Sequence, residues 1–555
     1  MRPSLLPLFL LACNGGDPDA TYQEPVLTLE SPAPASWTPT GPTTAIGLAE
    51  NLVDVKVNGE DAAIDGNAYS HELSFERGIN TVEVRASDSR GDDLYLRNSA
   101  ISGEFISPTD PVNDAAWIRL NRSGLDLMLG QVGTLIDKQT INESLAIANP
   151  VLDTTIETGG LQLGTLHVDL VSIDFADLWV TGEPLTDELA LVVHLDQMVI
   201  DAQATGDTVG LPYDVAIGVY ADTADVRVSL TVGVVDGHLD LTIGEVITDL
   251  TSVTFDTSLL PPAFEQNLVI GSLEPALEAQ IATAVAEQVP PLITQLTAGL
   301  DLSFHTELMG FPIDAFARFA EASIDPDGLA LQVDIDARVQ GNAGYPYQGY
   351  LTAAGMGDAV PDRTQDLAMS VYDDLLNRIL FEVWKAGMLE QTLTTEDGSL
   401  NLTIVAMLGG TDSGSIDIKA DLPPVVVDDR GQLSLQLGEL IVDISTPGGA
   451  LGEQLSMAVA GSVPLTPIVD NGVLKLTLGT PDLVLSVRGT TSQASTEALT
   501  QLLEENLPIS MLLGVVADLQ IPLPTFAGMS VNTALAQRDG TGAWTQLLVD
   551  LEVNP

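Results

Sequence analysis

Apolar and polar residues alternate along most of the chain beyond residue 115, and each run follows a turn ending in glycine. Asp236-Gly237 leads into Leu239, Leu241 and Ile243, and Asp327-Gly328 into Leu329, Leu331, Val333 and Ile335. Arg430-Gly431 leads into Leu433, Leu435 and Leu437, and Asn471-Gly472 into Leu474, Leu476 and Leu478. A period of two after a tight turn predicts antiparallel hairpins with one face on a core and the other in water. Four stretches break this rhythm with helical spacing. The first is RLNRSGLDLMLGQVGTLIDKQ, where Leu125, Leu129, Val132 and Ile136 share a face. The second is SLEPALEAQIATAVAEQV, which the pair Pro290-Pro291 should end. In the third, SVYDDLLNRILFEVWKAG, residues Leu375, Leu376, Ile379, Leu380 and Val383 recur and Gly387 supplies a stop. The fourth is STEALTQLLEENL, with Ser495 as cap and Glu497 in the first turn. Two halves thus share a layout of strands and helices without an obvious sequence repeat.

Nearer the N-terminus, Val53, Val55 and Val57, then Val82 and Val84, alternate around the turn pairs Asn58-Gly59 and Arg90-Gly91. This predicts a small antiparallel sandwich over residues 23–106, closed off by the turn-rich SPTDPVND at 107–114. Its order of VNG and then Phe, Gly, Asn, Val, Val, Ala and Asp at regular spacing resembles the immunoglobulin-like modules of bacterial surface proteins. Such modules serve mostly as spacers, and some bind.

The first thirteen residues, MRPSLLPLFLLAC, place one Arg before a short apolar run and a single Cys after it. The run is far short of the roughly 20 residues that span a bilayer, and its order is that of an export signal. Leu10-Leu11-Ala12-Cys13 resembles a bacterial lipobox, which implies removal of residues 1–12, acylation of Cys13 with palmitate-type chains, and a tether over 13–22. An ordinary signal peptide with a coincidental Cys is the other reading. Asn14 after Cys13 leans, by resemblance to sorting signals, towards the outer membrane of a Gram-negative-type envelope, on either face.

Composition narrows function. The 555 residues carry 78 Asp and Glu against 20 Lys and Arg, a formal net charge of −58, beside 45% hydrophobic residues. Such a polyanion repels phosphate backbones, so no nucleic-acid partner is expected. A mean hydropathy of +0.24 supplies apolar material for large cores and excludes a disordered acidic chain. The length suggests about three domains. With Cys13 as the sole Cys, no intrachain disulfide or Cys-based metal site can form. The acidity serves solubility or a salty habitat; Asp92-Asp93 and Asp428-Asp429 match no calcium loop, and no metal or cofactor is expected. His71, His167, His194, His238 and His305 show no metal or catalytic spacing, and no nucleophile elbow or phosphate loop occurs, so no enzyme is expected.

The stretch WIRLNRSGLDLMLGQVGTLIDKQTI, in which Ile118-Arg119-Leu120 precedes Gly124-Leu125-Asp126, resembles the opening of the bactericidal/permeability-increasing protein family. Three later stretches agree in order. They are Ser370-x-Tyr372 with Asn377-x-x-Leu380 and Ala386-Gly387-x-Leu389, then ENLPISMLL, then Pro522-Leu523-Pro524 before the closing strands. The resemblance spans about 115–555. It implies the tubular lipid-binding fold: an α+β, mainly β rod of two antiparallel-sheet barrels, 115–345 and 346–555, each wrapped round long helices and joined by a central sheet. It further implies phospholipid or related acyl lipid in an apolar pocket of each barrel, with Leu125, Leu129, Val132, Ile136, Leu375, Leu376, Ile379, Leu380 and Val383 as pocket candidates; any of these also serves as ordinary core. The cationic tip of the endotoxin-binding members does not carry over, because residues 139–317 hold one cation, Arg227. The expected function is that of a lipid-binding envelope lipoprotein, with lipid transfer as its extension; the alternative is a structural or adhesive surface lipoprotein without cargo.

Overall fold

The computed structural model describes residues 24–136, 138–147, 149–158, 161–208, 211–256, 266–300, 302–308, 311–353, 359, 361–407, 413–446, 454–488, 491–492, 514, 516–526, 529–539 and 542–553. The export signal, Cys13, the tether, and the expected helix over 495–507 with ENLPISMLL lie outside them.

A seven-stranded sheet forms the middle of the molecule, in the order Phe304–Leu308, Phe311–Asp325, Gly328–Val339, Val112–Asn121, Leu367–Tyr372, Trp544–Val553, Met529–Arg538. Its two central strands pair antiparallel, Ile118 opposite Met369. Each then runs straight into a helix. Val112–Asn121 continues as α1, Arg122–Leu135, and Leu367–Tyr372 continues as a helix over Asp373–Lys385. A hairpin flanks each central strand, 311–339 on one side and 529–553 on the other. The sheet is therefore approximately two-fold in layout, with one strand-into-helix unit per half.

A meander of long antiparallel strands extends the first half: Leu152–Thr158, Leu161–Asp174, Leu189–Thr208, Leu211–Val235 and His238–Thr251. Asp177–Pro184 and Thr254–Asp256 pair at its margins. Two helices join α1 on its apolar face, α2 over Lys138–Ile147 and α3 over Gln266–Thr297. Contrary to expectation, α3 runs on through Pro290-Pro291 to Thr297. Val289 and Ile293, on either side of the prolines, are both buried against the sheet, and that burial outweighs the lost backbone hydrogen bonds.

In the second half the corresponding sheet runs Gln391–Thr394, Ser415–Ala420, Gln432–Ser445, Gln454–Asp470, Val473–Leu478 and Gln520–Pro522, with Val425–Asp429 and Asp482–Val487 alongside. Its helix, α4, is the Asp373–Lys385 segment; α5, Leu402–Met407, is short. Asp373 and Asp374 occupy the first turn of α4 and Lys385 the last, as the helix dipole favours. Gly387 takes φ +81° just past the C-cap Ala386 and ends the helix. Ser370–Tyr372, expected to be helical, belongs to the strand.

The turn pairs explain the hairpins. Asn58-Gly59, Asp236-Gly237, Arg430-Gly431 and Asn471-Gly472 all have positive φ at both residues, the two-residue turn whose twist matches the strands it joins. One continuous core of buried aliphatic residues runs through both halves and the central sheet.

Residues before 106 form a two-sheet sandwich with a core of their own, including Ala45, Val55, Val57, Tyr69, Val82 and Val84. The sandwich is not a free spacer. Glu104–Ile106 pairs with Tyr350–Thr352, and Thr491–Ser492 adds to the strand Asp93–Ser102.

Candidate functional site

Each half holds an apolar cavity between its helix and its sheet. In the first half, Leu125 and Met128 of α1 face Leu189, Leu230, Leu239 and Leu241 of the sheet, and the last turn of α3 closes the end with Ile293 and Thr297. The space is about 410 Å³ including its mouth. In the second half, Leu380 and Val383 of α4 face Leu422, Leu435, Leu437 and Leu440 around about 440 Å³, again with the mouth. Among the described lining residues, Thr297 supplies the one polar side chain. The first cavity lies beside the central sheet at the root of α1, with Ile324 and Leu329 of that sheet in its lining; the second lies along the C-terminal half of α4, against the strands of the second half's own sheet. A lining of this kind offers no partner for water and suits hydrocarbon.

The nine expected pocket residues divide into three groups. Leu125, Leu380 and Val383 line the cavities. Leu129, Val132, Leu375, Leu376 and Ile379 are buried, at most 3% exposed, and form close-packed core. Leu129 meets the strand Asp177–Pro184 so tightly that a Cβ on Gly182 would sit 2.3 Å from its Cδ1. Ile136 lies beyond the end of α1 and is half-buried. Periodicity identified the apolar face of each helix; which part of that face meets a gap is set by the opposing strands. The sheet-borne lining, above all Leu239 and Leu241 after Asp236-Gly237, was visible in the sequence only as strand core.

A buried ionic cluster surrounds the start of α4. Arg538 donates to both oxygens of Asp373 at 2.7 and 2.9 Å, and Asp373 is fully buried. Burial pushes the Asp373 carboxyl up to about 6, against the pull of Arg538. Beside it Asp374 accepts from the Thr352 hydroxyl and, at 2.6 Å, from the Ala353 amide; burial raises its carboxyl too. One turn on, Arg378 pairs with Glu382 at 2.9 Å, both nearly inaccessible to solvent. The polar face of α4, which its sequence marks for water, is thus covered and internally paired.

Cations available to an anionic ligand are few. At least sixteen of the nineteen described Lys and Arg lie within 4.0 Å of a carboxylate. Among the described residues, no group of three or more His, Cys, Asp and Glu is placed to hold a metal ion. His194 bridges Thr181 at 2.9 Å and Asp225 at 2.8 Å, a hydroxyl–imidazole–carboxylate row that the sequence spacing did not reveal. Trp179 stacks on the imidazole. The row lies along adjacent strands on the outer face of the first sheet, apart from both cavity linings.

Residues 25–99 match the family of glucodextranase domain B. No curated protein matches the chain. Among solved structures, a lipopolysaccharide binding protein is similar over 80% of this chain and all of its own, at 12% identity and a TM-score of 0.45. Latherin, in a solution structure, is similar over 31% of this chain and 76% of its own, at 16% identity and a TM-score of 0.18. Among the described residues, no helix is long and apolar enough to cross a membrane.

Proposed function

We propose that this protein is a lipid-binding lipoprotein of the cell envelope, built on the tubular fold of the bactericidal/permeability-increasing type. The observation that carries the reading is the pair of apolar cavities, one between helix and sheet in each half, lined almost wholly by aliphatic side chains among the described residues. Acyl chains entering them exchange one apolar environment for another. Transfer from a membrane is then close to neutral in free energy, since each buried CH₂ recovers the roughly 0.8 kcal/mol it had in the bilayer. The mechanism is partition and needs no covalent step. With nearly every described cation already paired, chain burial and not phosphate capture supplies the affinity. Cys13 anchors the chain through its acyl groups to the outer membrane, and the N-terminal sandwich, an immunoglobulin-like module, stands between anchor and rod.

Native mass spectrometry with lipid extraction tests this on the full chain carrying Cys13→Ser, which removes the acylation site. One or two acyl lipids per chain are expected. Leu125→Trp should remove the lipid of the first cavity and Leu380→Trp that of the second. A lipid-free mass unchanged by added phosphatidylcholine vesicles would refute the reading and leave the same fold as a surface scaffold without cargo.

A further inference from the structure

The strand Gln432–Ser445 alternates like its neighbours, so its polar positions should face water. Between Ser434 and Glu439 they do not: Ser434, Gly438 and Glu439 are buried, and Gln436 is half-buried. What covers Gln436, Gly438 and Glu439 is the N-terminal sandwich. The Gln436 amide oxygen accepts from the Ile79 N–H at 2.7 Å, and the Glu439 carboxylate accepts from the Ser99 N–H at 2.5 Å.

Glu439 is an unusual residue to find here. It sits in a bulge between Leu437 and Leu440 with φ +49°, is 1% exposed, and also pairs with Arg488. A bulge with left-handed backbone at a non-glycine residue persists only where its surroundings hold it. Here one face is held by Ser99 and Ile79, and a Cβ on Gly438 would lie 2.7 Å from the Ile79 Cγ2. The other face of the same bulge is cavity wall, since Leu437, Gly438 and Leu440 all line the second cavity. Leu422 repeats the arrangement. It lines that cavity and belongs to a separate small core with Ile101, Leu351, Val425 and Val427, against which Trp37 and Ile79 pack. An aromatic chain completes the contact, Phe105 to Trp37 at 4.8 Å and Trp37 to Trp384 at 6.4 Å, and the Trp384 N–H donates to the Ala420 carbonyl of the same wall.

We infer that the N-terminal sandwich is the outer wall of the second cavity: by clamping the Gly438–Glu439 bulge and Leu422 from outside, it sets that cavity's shape and its ability to retain an acyl chain. Glu439 is the positioning residue, acting through the Ser99 amide. Among the described residues the first cavity has no such support, and the two cavities of one chain therefore differ in what controls them. The retention step rests on the lipid-binding reading; the clamp itself does not.

The test uses the full chain with Cys13→Ser and compares Glu439→Ala with Glu439→Gln, which keeps an acceptor for the Ser99 N–H. Hydrogen exchange reads the clamp without any lipid. Glu439→Ala should raise exchange in 96–102 and 437–440 by about tenfold, the scale of losing one buried hydrogen bond to a charged group. The strand 189–208 should be unchanged, and Glu439→Gln should restore most of the protection. Unchanged exchange at 437–440, an equal rise in 189–208, or a Gln variant as exposed as the Ala variant would overturn the clamp. The second readout is quenching of Trp384 by phosphatidylcholine vesicles with brominated chains, expected to fall at least severalfold in Glu439→Ala and to recover in Glu439→Gln. Quenching kept at the wild-type level overturns the control of retention. A wild-type chain that takes no lipid at all refutes the proposed function, and the exchange result then decides the clamp alone.

Discussion

Replacing Arg538 by Met probes how the C-terminal hairpin is fastened to α4. Its guanidinium donates to Asp373 at 2.7 and 2.9 Å, to the Gly542 carbonyl at 2.6 Å and to Asp428 at 3.3 Å. The Arg538 side chain is 9% exposed and that of Asp373 is 0% exposed. Methionine keeps much of the aliphatic stem but leaves a carboxylate buried without its cation. One-sided removal of a buried partner costs about 3–5 kcal/mol, and that loss is expected here. A chain of this size can unfold in more than one step, so the transition should be followed locally. Trp544, stacked on Tyr372 with centroids 4.4 Å apart, reports it through the fluorine resonance of fluorotryptophan during urea unfolding. Adding Asp373→Leu to the same chain removes the stranded charge and should recover a large part of the loss. A single variant within 1 kcal/mol of wild type, or a double variant no better than the single, would refute the argument.

The same carboxylate gives a pH dependence with a definite sign. Burial raises Asp373 to about 6, above the roughly 3.9 of an unfolded Asp, so the folded chain takes up this proton first. Its contribution to stability is fully present below about pH 4 and is lost as pH rises through 6, at up to roughly 1.4 kcal/mol per unit. Asp374 and Glu439, also raised by burial, add slopes of the same sign, which cancel when wild type is compared with Asp373→Asn. That difference should move in favour of wild type as pH falls from 7 to 4.5; a flat or opposite trend would show that Arg538 outweighs burial.

Two further outcomes follow from packing and charge. Gly182→Ala puts a Cβ 2.3 Å from the Leu129 Cδ1 and 3.1 Å from the Leu191 Cδ2, which should cost about 1–3 kcal/mol in urea unfolding. Leu129→Ala in the same chain should make the glycine substitution nearly free, and additive losses would count against the contact. With a formal net charge of −58, self-repulsion opposes folding, and raising NaCl from 10 mM to 1 M shortens the screening length from roughly 30 to 3 Å. Calorimetry should then show Tm rising by several degrees, and a fall would mean that the paired cations outweigh the excess acid.

Local rules were legible along the chain and the assembly of its parts was not, for identifiable reasons. Positive φ at both residues of Asp236-Gly237 and Asn471-Gly472 is a property of two neighbours, and so it shows in the letters. The helical spacing of Leu375, Ile379 and Val383 is equally local. Pro290-Pro291 misled because the burial of Val289 and Ile293 that sustains α3 is tertiary. The cover over the polar side of α4 is tertiary in the same way: Arg77 and Thr352 meet Asp374, and Arg378 lies over the Tyr350 ring.

The meeting of the sandwich with Gln432–Ser445 left no periodic trace, because its main bonds join side-chain acceptors to backbone amides, and backbone amides carry no letter. What did stand in the sequence was the interruption itself. In LSLQLGELIVDIS a Gly-Glu pair breaks the alternation of an otherwise regular strand, and Glu439 falls where a buried residue belongs. An acid at such a position costs several kcal/mol unless something meets it. The residues that meet it, Ser99 and Arg488, come from two other parts of the chain, so the sandwich is held to the second half at a point where detachment would leave a buried charge unsatisfied.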